Sequence, residues 1–262
     1  MCEAAYYSNP LKKSKSPIYK ASLGNPWRLP QSWETLADTM RCVAFQYFMQ
    51  KLVVVDYGMG NLRSVARAFE FASREWQIPT DVVISGQPQD VRSAHKVVFP
   101  GQGAMPDCMR YLRESGLEEA VRDAAAAKPF FGVCVGMQML FDVSEEGDTP
   151  GLGIFGGQVR RFQPVETATK VPHMGWNDVT MTPENRPAHA MFQGLANSNR
   201  FYYVHSYYCE PTDPTIVAAT TQYIGRFTAA VGRDNIFATQ FHPEKSHHAG
   251  LTVYKNFLNT QP

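Results

Sequence analysis

The chain has 262 residues, 44 % hydrophobic and 19 % charged. Those are ordinary globular proportions, at a length that suits one α/β domain or at most two small ones. Its 25 Lys and Arg nearly balance 24 Asp and Glu, so the basic excess of a nucleic-acid binder is missing, and no apolar run is long enough for a membrane-spanning helix. The five cysteines, Cys2, Cys42, Cys108, Cys134 and Cys209, are odd in number and scattered, without a C-x-x-C pair. They make neither a disulfide framework nor a thiolate zinc site. The N-terminus has no apolar core of a secretory signal. These features point to a cytoplasmic chain with reduced thiols, no metal and no cofactor.

Residues 1–48 carry Pro10, Pro17, Pro26 and Pro30, several lysines and little periodicity, so they are expected to bury little. At Met49 the character changes. Met49 could itself be the start of translation, which would make 1–48 a mis-assigned start; otherwise 1–48 is an extension ahead of one domain over 49–262. Leu52–Val55 reads as a buried strand. Asp56-Tyr57-Gly58-Met59-Gly60 is a turn, with Asn61 as the N-cap of a helix whose apolar face is Leu62, Val65, Ala66 and Phe69. Val82–Ile84 and Val97–Phe99 are short strands, Leu117–Ala127 is a helix, Phe130–Val133 is a strand ending at Cys134, and Gly136–Phe141 continues as helix. This β-α-β order predicts an α/β fold: a mostly parallel central sheet with helices on both faces, flavodoxin-like. Strand-like pieces then crowd the second half (Tyr202–Val204, Ile216–Ala219, Phe227–Val231, Ile236–Thr239), as antiparallel additions to the sheet. Helix returns at Leu251–Leu258.

Gly132-Val133-Cys134-Val135-Gly136 is the cysteine version of the G-x-S-x-G nucleophile elbow. Glycines two residues before and after relieve the crowding of a sharp strand-to-helix turn. That turn would lift the thiol above the carboxyl edge of the sheet, where open α/β sheets bind ligands. The N-terminus of the following helix would favour thiolate. Alone, the pattern is equally compatible with a buried structural cysteine, so a base elsewhere must decide.

Gln240-Phe241-His242-Pro243-Glu244-Lys245 supplies that base. His242 follows an apolar strand, and Glu244 could hold its Nδ1 and turn Nε2 toward the thiol. Cys134 as nucleophile, His242 as proton carrier and Glu244 as orienter fill the three roles of nucleophilic catalysis. His247 and His248 sit in a polar stretch before the last helix and read as solvated; nothing upstream completes a metal set with them. Pro100-Gly101-Gln102-Gly103-Ala104 follows a strand, and an amide near Gly103 with that of Val135 could stabilise an oxyanion, each donor worth roughly 3 kcal/mol. The alternatives for this loop are a phosphate-binding turn or a plain loop; a P-loop is excluded, because G-x-x-x-x-G-K-[ST] is absent.

Taken in order, Asp56-Tyr57-Gly58-Met59-Gly60-Asn61-Leu62, Pro100 to Ala104, Gly132 to Gln138, Pro172-His173-Met174-Gly175-Trp176-Asn177, Tyr203-Val204-His205-Ser206-Tyr207 and Gln240 to Lys245 resemble the class I (triad) glutamine amidotransferases. Within them, the chain is similar to the glutaminase subunits of imidazole glycerol phosphate synthase, from Met49 to the C-terminus. Asp142-Val143-Ser144 departs from the small polar turn expected there. The resemblance implies that Gln138 holds the side chain of a substrate glutamine. It implies that Ser206 and Tyr207 present backbone groups to the substrate's α-amino and carboxylate ends, and that Gln102 belongs to an adjustable loop. Pro172, Met174 and Trp176 would face a (β/α)8 cyclase subunit in a heterodimer, and the released ammonia would serve histidine biosynthesis. Core packing is the alternative for Trp176, and core or edge-strand packing for at least two of Tyr202, Tyr203, Tyr207 and Tyr208. Three other readings stay open: an amidotransferase of the anthranilate or GMP synthesis type, a stand-alone γ-glutamyl cysteine hydrolase, and a scaffold subunit without activity.

Overall fold

The computed structural model describes residues 49–164, 170–181 and 187–261; the expectation for 1–48 lies outside them. Helices are α1 (Leu62–Glu75), α2 (Pro88–Ser93), α3 (Met105–Glu114), α4 (Glu118–Ala127), α5 (Val135–Gln138) and α6 (His247–Leu258). Strands are β1 (Gln50–Val55), β2 (Thr80–Ser85), β3 (Lys96–Gly101), β4 (Phe130–Cys134), β5 (Phe141–Ser144), β6 (Thr149–Pro150), β7 (Phe155–Arg161), β8 (His173–Thr180), β9 (Ser198–His205), β10 (Tyr207–Pro211), β11 (Val217–Gln222), β12 (Arg226–Arg233) and β13 (Ile236–Thr239). They form one mixed sheet in the order β2-β1-β3-β4-β13-β12-β10-β7-β5-β6. β11 pairs with β12 and β8, and β9 pairs with β8.

The five strands from β2 to β13 run parallel. Every residue of β3, β4 and β13 is buried, because parallel strands are covered on both faces. Their near-continuous apolar runs reflect that cover. From β1 the chain steps one way to β2, then back past β1 to β3. With right-handed crossovers this sends α1 and α2 to opposite faces. α2 packs with α4, and α1 with α6, so helices cover both sides as the sequence predicts. The antiparallel additions begin at β12.

The α1–α6 face is fixed by aromatic rings. Phe69 of α1 stacks on Tyr254 of α6 at 3.9 Å, and Phe131 of β4 packs edge-on against Phe69, Tyr254 and Phe257. Each ring is almost fully buried, a contribution of roughly 1.5–3 kcal/mol apiece. This cluster sits under the strand that ends at Cys134.

Several local expectations are corrected. Helix α5 is one turn of four residues, not a helix through Phe141. Phe141 instead opens β5, whose Val143 and Ser144 pair with β6 and β7 around an irregularity at Asp142. Asn61 precedes α1 but its side chain makes no capping hydrogen bond. Ile216 ends a short 3-10 turn, and the strand starts at Val217. His247 and His248 are exposed, but they open α6 rather than precede it. No helix among the described residues is long and apolar enough to cross a membrane.

Candidate active site

Cys134 closes β4 with φ +56° and ψ −112°, a left-handed conformation that a side chain tolerates only when its surroundings enforce it. The enforcement is visible at Gly136. A Cβ there would overlap the Phe99 carbonyl oxygen of β3, so only glycine lets the turn pack against its neighbouring strand. The helix that follows Cys134 is a single turn, Val135–Gln138.

β13 runs parallel to β4, with Thr239 beside Val133. The chain leaving β13 therefore delivers Gln240 next to Cys134. Gln240 Nε2 donates to Cys134 Sγ at 3.7 Å. The His242 backbone is held from two sides: its N–H donates to the Tyr202 carbonyl of β9 at 2.9 Å, and its carbonyl accepts at 2.6 Å from Ser246 Oγ, just ahead of α6. His242 Nδ1 lies 2.8 Å from Glu244 Oε1. The Tyr254 hydroxyl donates to the other Glu244 oxygen at 3.3 Å. His242 and Glu244 side chains are 5 % and 1 % exposed, and His242 Nε2 is buried with no hydrogen-bond partner. Burial opposes a charge on His242, but the Cys134 sulfur and the Glu244 carboxylate outweigh it and push the imidazole up to about 10.

A cavity of about 350 Å³ opens over these groups, within the range of small-molecule pockets. Its wall brings together Cys134, His242, Gln102, Gly103, Val135, Gln138, Ser206, Tyr207 and Pro172, all singled out in the sequence. Glu244 stands behind His242 instead. Gly103 has φ +96° and faces the Met59 side chain. The loop before it is pinned from behind: the Tyr57 hydroxyl donates to the Pro100 carbonyl at 3.0 Å, and Cys108 Sγ lies 3.3 Å from the Gln102 carbonyl. Met174 and Trp176 do not line the cavity. They project from β8 and are 63 % and 38 % exposed, with Trp176 stacked on His247 at 4.9 Å. Of the four tyrosines, Tyr203 is fully buried and the others are half-buried.

Four lining residues carry no role on sequence grounds: Glu146, Val204, His205 and Lys245. Glu146 accepts the Met105 N–H at 2.8 Å; its only sequence signal is the polar Glu145-Glu146-Gly147 turn. Among the described residues no cluster of three His, Cys, Asp or Glu side chains could hold a metal ion.

A parallel sheet whose carboxyl edge presents a cysteine at a glycine-flanked elbow, beside a histidine held by a glutamate, defines a class of enzyme. The chain belongs to the class-I glutamine amidotransferase family, whose profile matches residues 53–260. It is 54 % identical to the imidazole glycerol phosphate synthase subunit HisH of Neisseria meningitidis serogroup A over 211 residues, covering 79 % of this chain and 98 % of that relative. It is 52 % identical to the subunit of the same name from Dechloromonas aromatica, covering 81 % of this chain and 98 % of the relative. The crystal structure of a proposed GMP synthase subunit from Thermoplasma acidophilum shares the fold with a TM-score of 0.58. It is 22 % identical and covers 80 % of this chain and 92 % of that one.

Proposed function

We propose that residues 49–262 form the glutaminase subunit of imidazole glycerol phosphate synthase, which hydrolyses glutamine and passes the ammonia to a cyclase subunit in histidine biosynthesis. The observation that carries the reading is His242. Its Nδ1 is held by Glu244, and its buried Nε2 has no partner beside Cys134, in a cavity of amino-acid size.

Cys134 Sγ attacks the carboxamide carbon of glutamine. The C–N bond then breaks, and the imidazolium of His242 gives its proton to the departing ammonia. A water molecule, deprotonated by His242, cleaves the γ-glutamyl thioester and releases glutamate. Glu244 keeps the imidazole in one tautomer and offsets its positive charge. The amides of Gly103 and Val135 receive the oxyanion, with Gln102 in the adjoining loop. Gln138, Ser206 and Tyr207 hold the substrate, and the Glu146 carboxylate offers the cavity an anionic counterpart for the α-ammonium group.

The cyclase subunit, of (β/α)8 type, docks over the cavity mouth and against Pro172, Met174 and Trp176. Exposure of large apolar side chains on β8 supports that surface. Coupling to the cyclase keeps ammonia from being protonated in bulk water. The products of the pair are imidazole glycerol phosphate and an aminoimidazole-carboxamide ribonucleotide. A cytoplasmic setting agrees with the unbridged Cys108, Cys134 and Cys209.

The test is glutamate release from glutamine, with and without the cyclase subunit and its nucleotide ligand, beside a Cys134→Ala control. Release that rises with partner and ligand and vanishes in the control supports the assignment. Release indifferent to the partner points to a stand-alone hydrolase or to the subunit of a different synthase, and release that survives Cys134→Ala removes Cys134 as nucleophile.

A further inference from the structure

Beneath the substrate wall lies a run of hydrogen bonds with a single sense of donation. It starts at Asn177 on β8, whose amide is oriented from two sides. Its Oδ1 accepts the Asp178 N–H at 2.8 Å, and its Nδ2 donates to the Gln222 carbonyl at 2.9 Å. Nδ2 also lies 3.2 Å from His173 Nε2, so that ring nitrogen accepts. A neutral imidazole has one donor and one acceptor. His173 Nδ1 therefore donates, to His205 Nε2 at 2.9 Å. By the same logic His205 Nδ1 donates to the Tyr207 carbonyl at 2.8 Å. Burial keeps both rings neutral, with His173 pushed down to about 4 and His205 to about 3.

The Tyr207 carbonyl is shared. Gln138 Nε2 donates to it at 3.1 Å and to Gln240 Oε1 at 3.0 Å. The Gln240 amide is thereby turned so that its nitrogen reaches Cys134 Sγ.

We infer that His173 is a positioning residue for the reaction: by fixing the tautomer of His205 it holds the Tyr207 carbonyl, and with it Gln138, in the geometry that receives glutamine. In the other tautomer, the lone pair of His205 Nδ1 would face the Tyr207 carbonyl oxygen, two acceptors at hydrogen-bond distance. The peptide would turn away, and Gln138 would lose a partner in a site where an unpaired polar group is costly. His173 has no freedom to relax the arrangement, because its ring is stacked between Tyr203 at 4.6 Å and Tyr223 at 4.0 Å. It is buried and lies outside the cavity wall, so it acts only through His205.

The inference rests on the glutaminase reading, and the experiment separates the two. Glutamate release is measured with the full chain in complex with its cyclase subunit and nucleotide ligand. If the parent complex releases none, the glutaminase reading itself fails. His173→Phe keeps the stacked ring and removes both nitrogens. It is expected to raise KM for glutamine about tenfold or more and change kcat by less than about threefold, as loss of ground-state positioning does. His173→Asn puts an amide nitrogen near the place of Nδ1 and is expected to bring KM back to within about threefold of the parent. Asn177→Leu leaves the ring in place and releases its tautomer; it is expected to repeat the rise in KM, and it serves if the Phe variant does not fold. A parental KM in folded His173→Phe or Asn177→Leu overturns the inference. Equal impairment of His173→Phe and His173→Asn also overturns it, because packing alone would then explain the residue.

Discussion

Nδ1 of His242 and Oε1 of Glu244 lie 2.8 Å apart, enclosed almost completely, so the imidazole cannot turn without breaking a bond that water cannot replace. A buried carboxylate in contact with a ring nitrogen fixes the tautomer and stabilises the imidazolium. Glu244→Gln removes the charge but not the shape. The expected result is a fall in kcat of at least about 10²-fold with KM for glutamine little changed, measured as glutamate release in the presence of the cyclase subunit.

The same enclosure governs the titration of His242. Burial alone would lower its pKa; Cys134 and Glu244 together raise it to about 10. Replacing Cys134 by Ser removes the largest of the raising influences, so the His242 ring signal in a proton NMR titration should move to a distinctly lower pH. A raised folded-state pKa means that folding takes up a proton, so the contribution of His242 is complete below about pH 6.5 and is lost as pH rises toward about 10. Chemical denaturation of the parent and Cys134→Ser chains across that window should show the parent losing more. Parallel curves would count against Cys134 as the main source of the raised His242 pKa.

Gly136→Ala tests the elbow. The added methyl overlaps the Phe99 carbonyl oxygen, and the overlap involves backbone on both sides, which cannot rotate out of the way. A loss of about 3 kcal/mol or more in unfolding free energy is expected, with glutaminase activity falling along with the folded fraction. A variant as stable as the parent would show that β3 and α5 can separate freely.

Removing residues 1–48 should leave glutamate release, its dependence on the partner and the melting temperature close to those of the full chain. The family profile begins at residue 53, and β1 opens at Gln50. A folded 49–262 chain without activity would assign the first 48 residues a part in the reaction.

What could be read from the sequence divides along physical lines. β4 and β13 were legible because a strand buried on both faces is mostly apolar; Phe130–Cys134 is so throughout, and Ile236–Thr239 is so up to Thr239. Helix α1 was legible from Leu62, Val65, Ala66 and Phe69, which recur at helical spacing; the last three of them are buried and Leu62 is half-buried. The end of α5 was not legible. Met137 to Phe141 is apolar except at Gln138, and periodicity cannot distinguish a helix that continues from one that stops after a turn to feed a strand. β5 was missed because Asp142 and Val143 are exposed at the outer part of the sheet. Gln102, Gly103, Cys134, Val135 and His242 of the cavity wall were legible because they lie in the glycine loop, the elbow and the His-Pro-Glu segment, whereas Gln138, Pro172, Ser206 and Tyr207 came from the family resemblance. Glu146 was not, since a glutamate in a polar turn looks the same whether it faces water or a cavity. His205 stands within Tyr203 to Tyr207 without a role of its own there. Its part depends on a ring 32 residues earlier in the chain, a relation that no local pattern carries.

Lys96 has a practical consequence. It is the first residue of β3, and its buried amine grips Thr260 through the hydroxyl at 3.0 Å and the backbone carbonyl. Gln50, opening β1, likewise holds the Leu258 carbonyl at 3.0 Å. Both grips lie at the amino ends of strands, whereas Gly101 pairs with Cys134 at the far end of β3, roughly 16 Å away at strand rise. A fluorophore or affinity handle appended after Thr260 therefore starts out at the edge opposite the thiol, so immobilising the protein by that handle leaves the cavity mouth open to an incoming protein. Cutting the chain back past Thr260 is a different operation: it strands an ammonium group beneath α6, at the root of the strand that carries the Pro100–Gly103 loop.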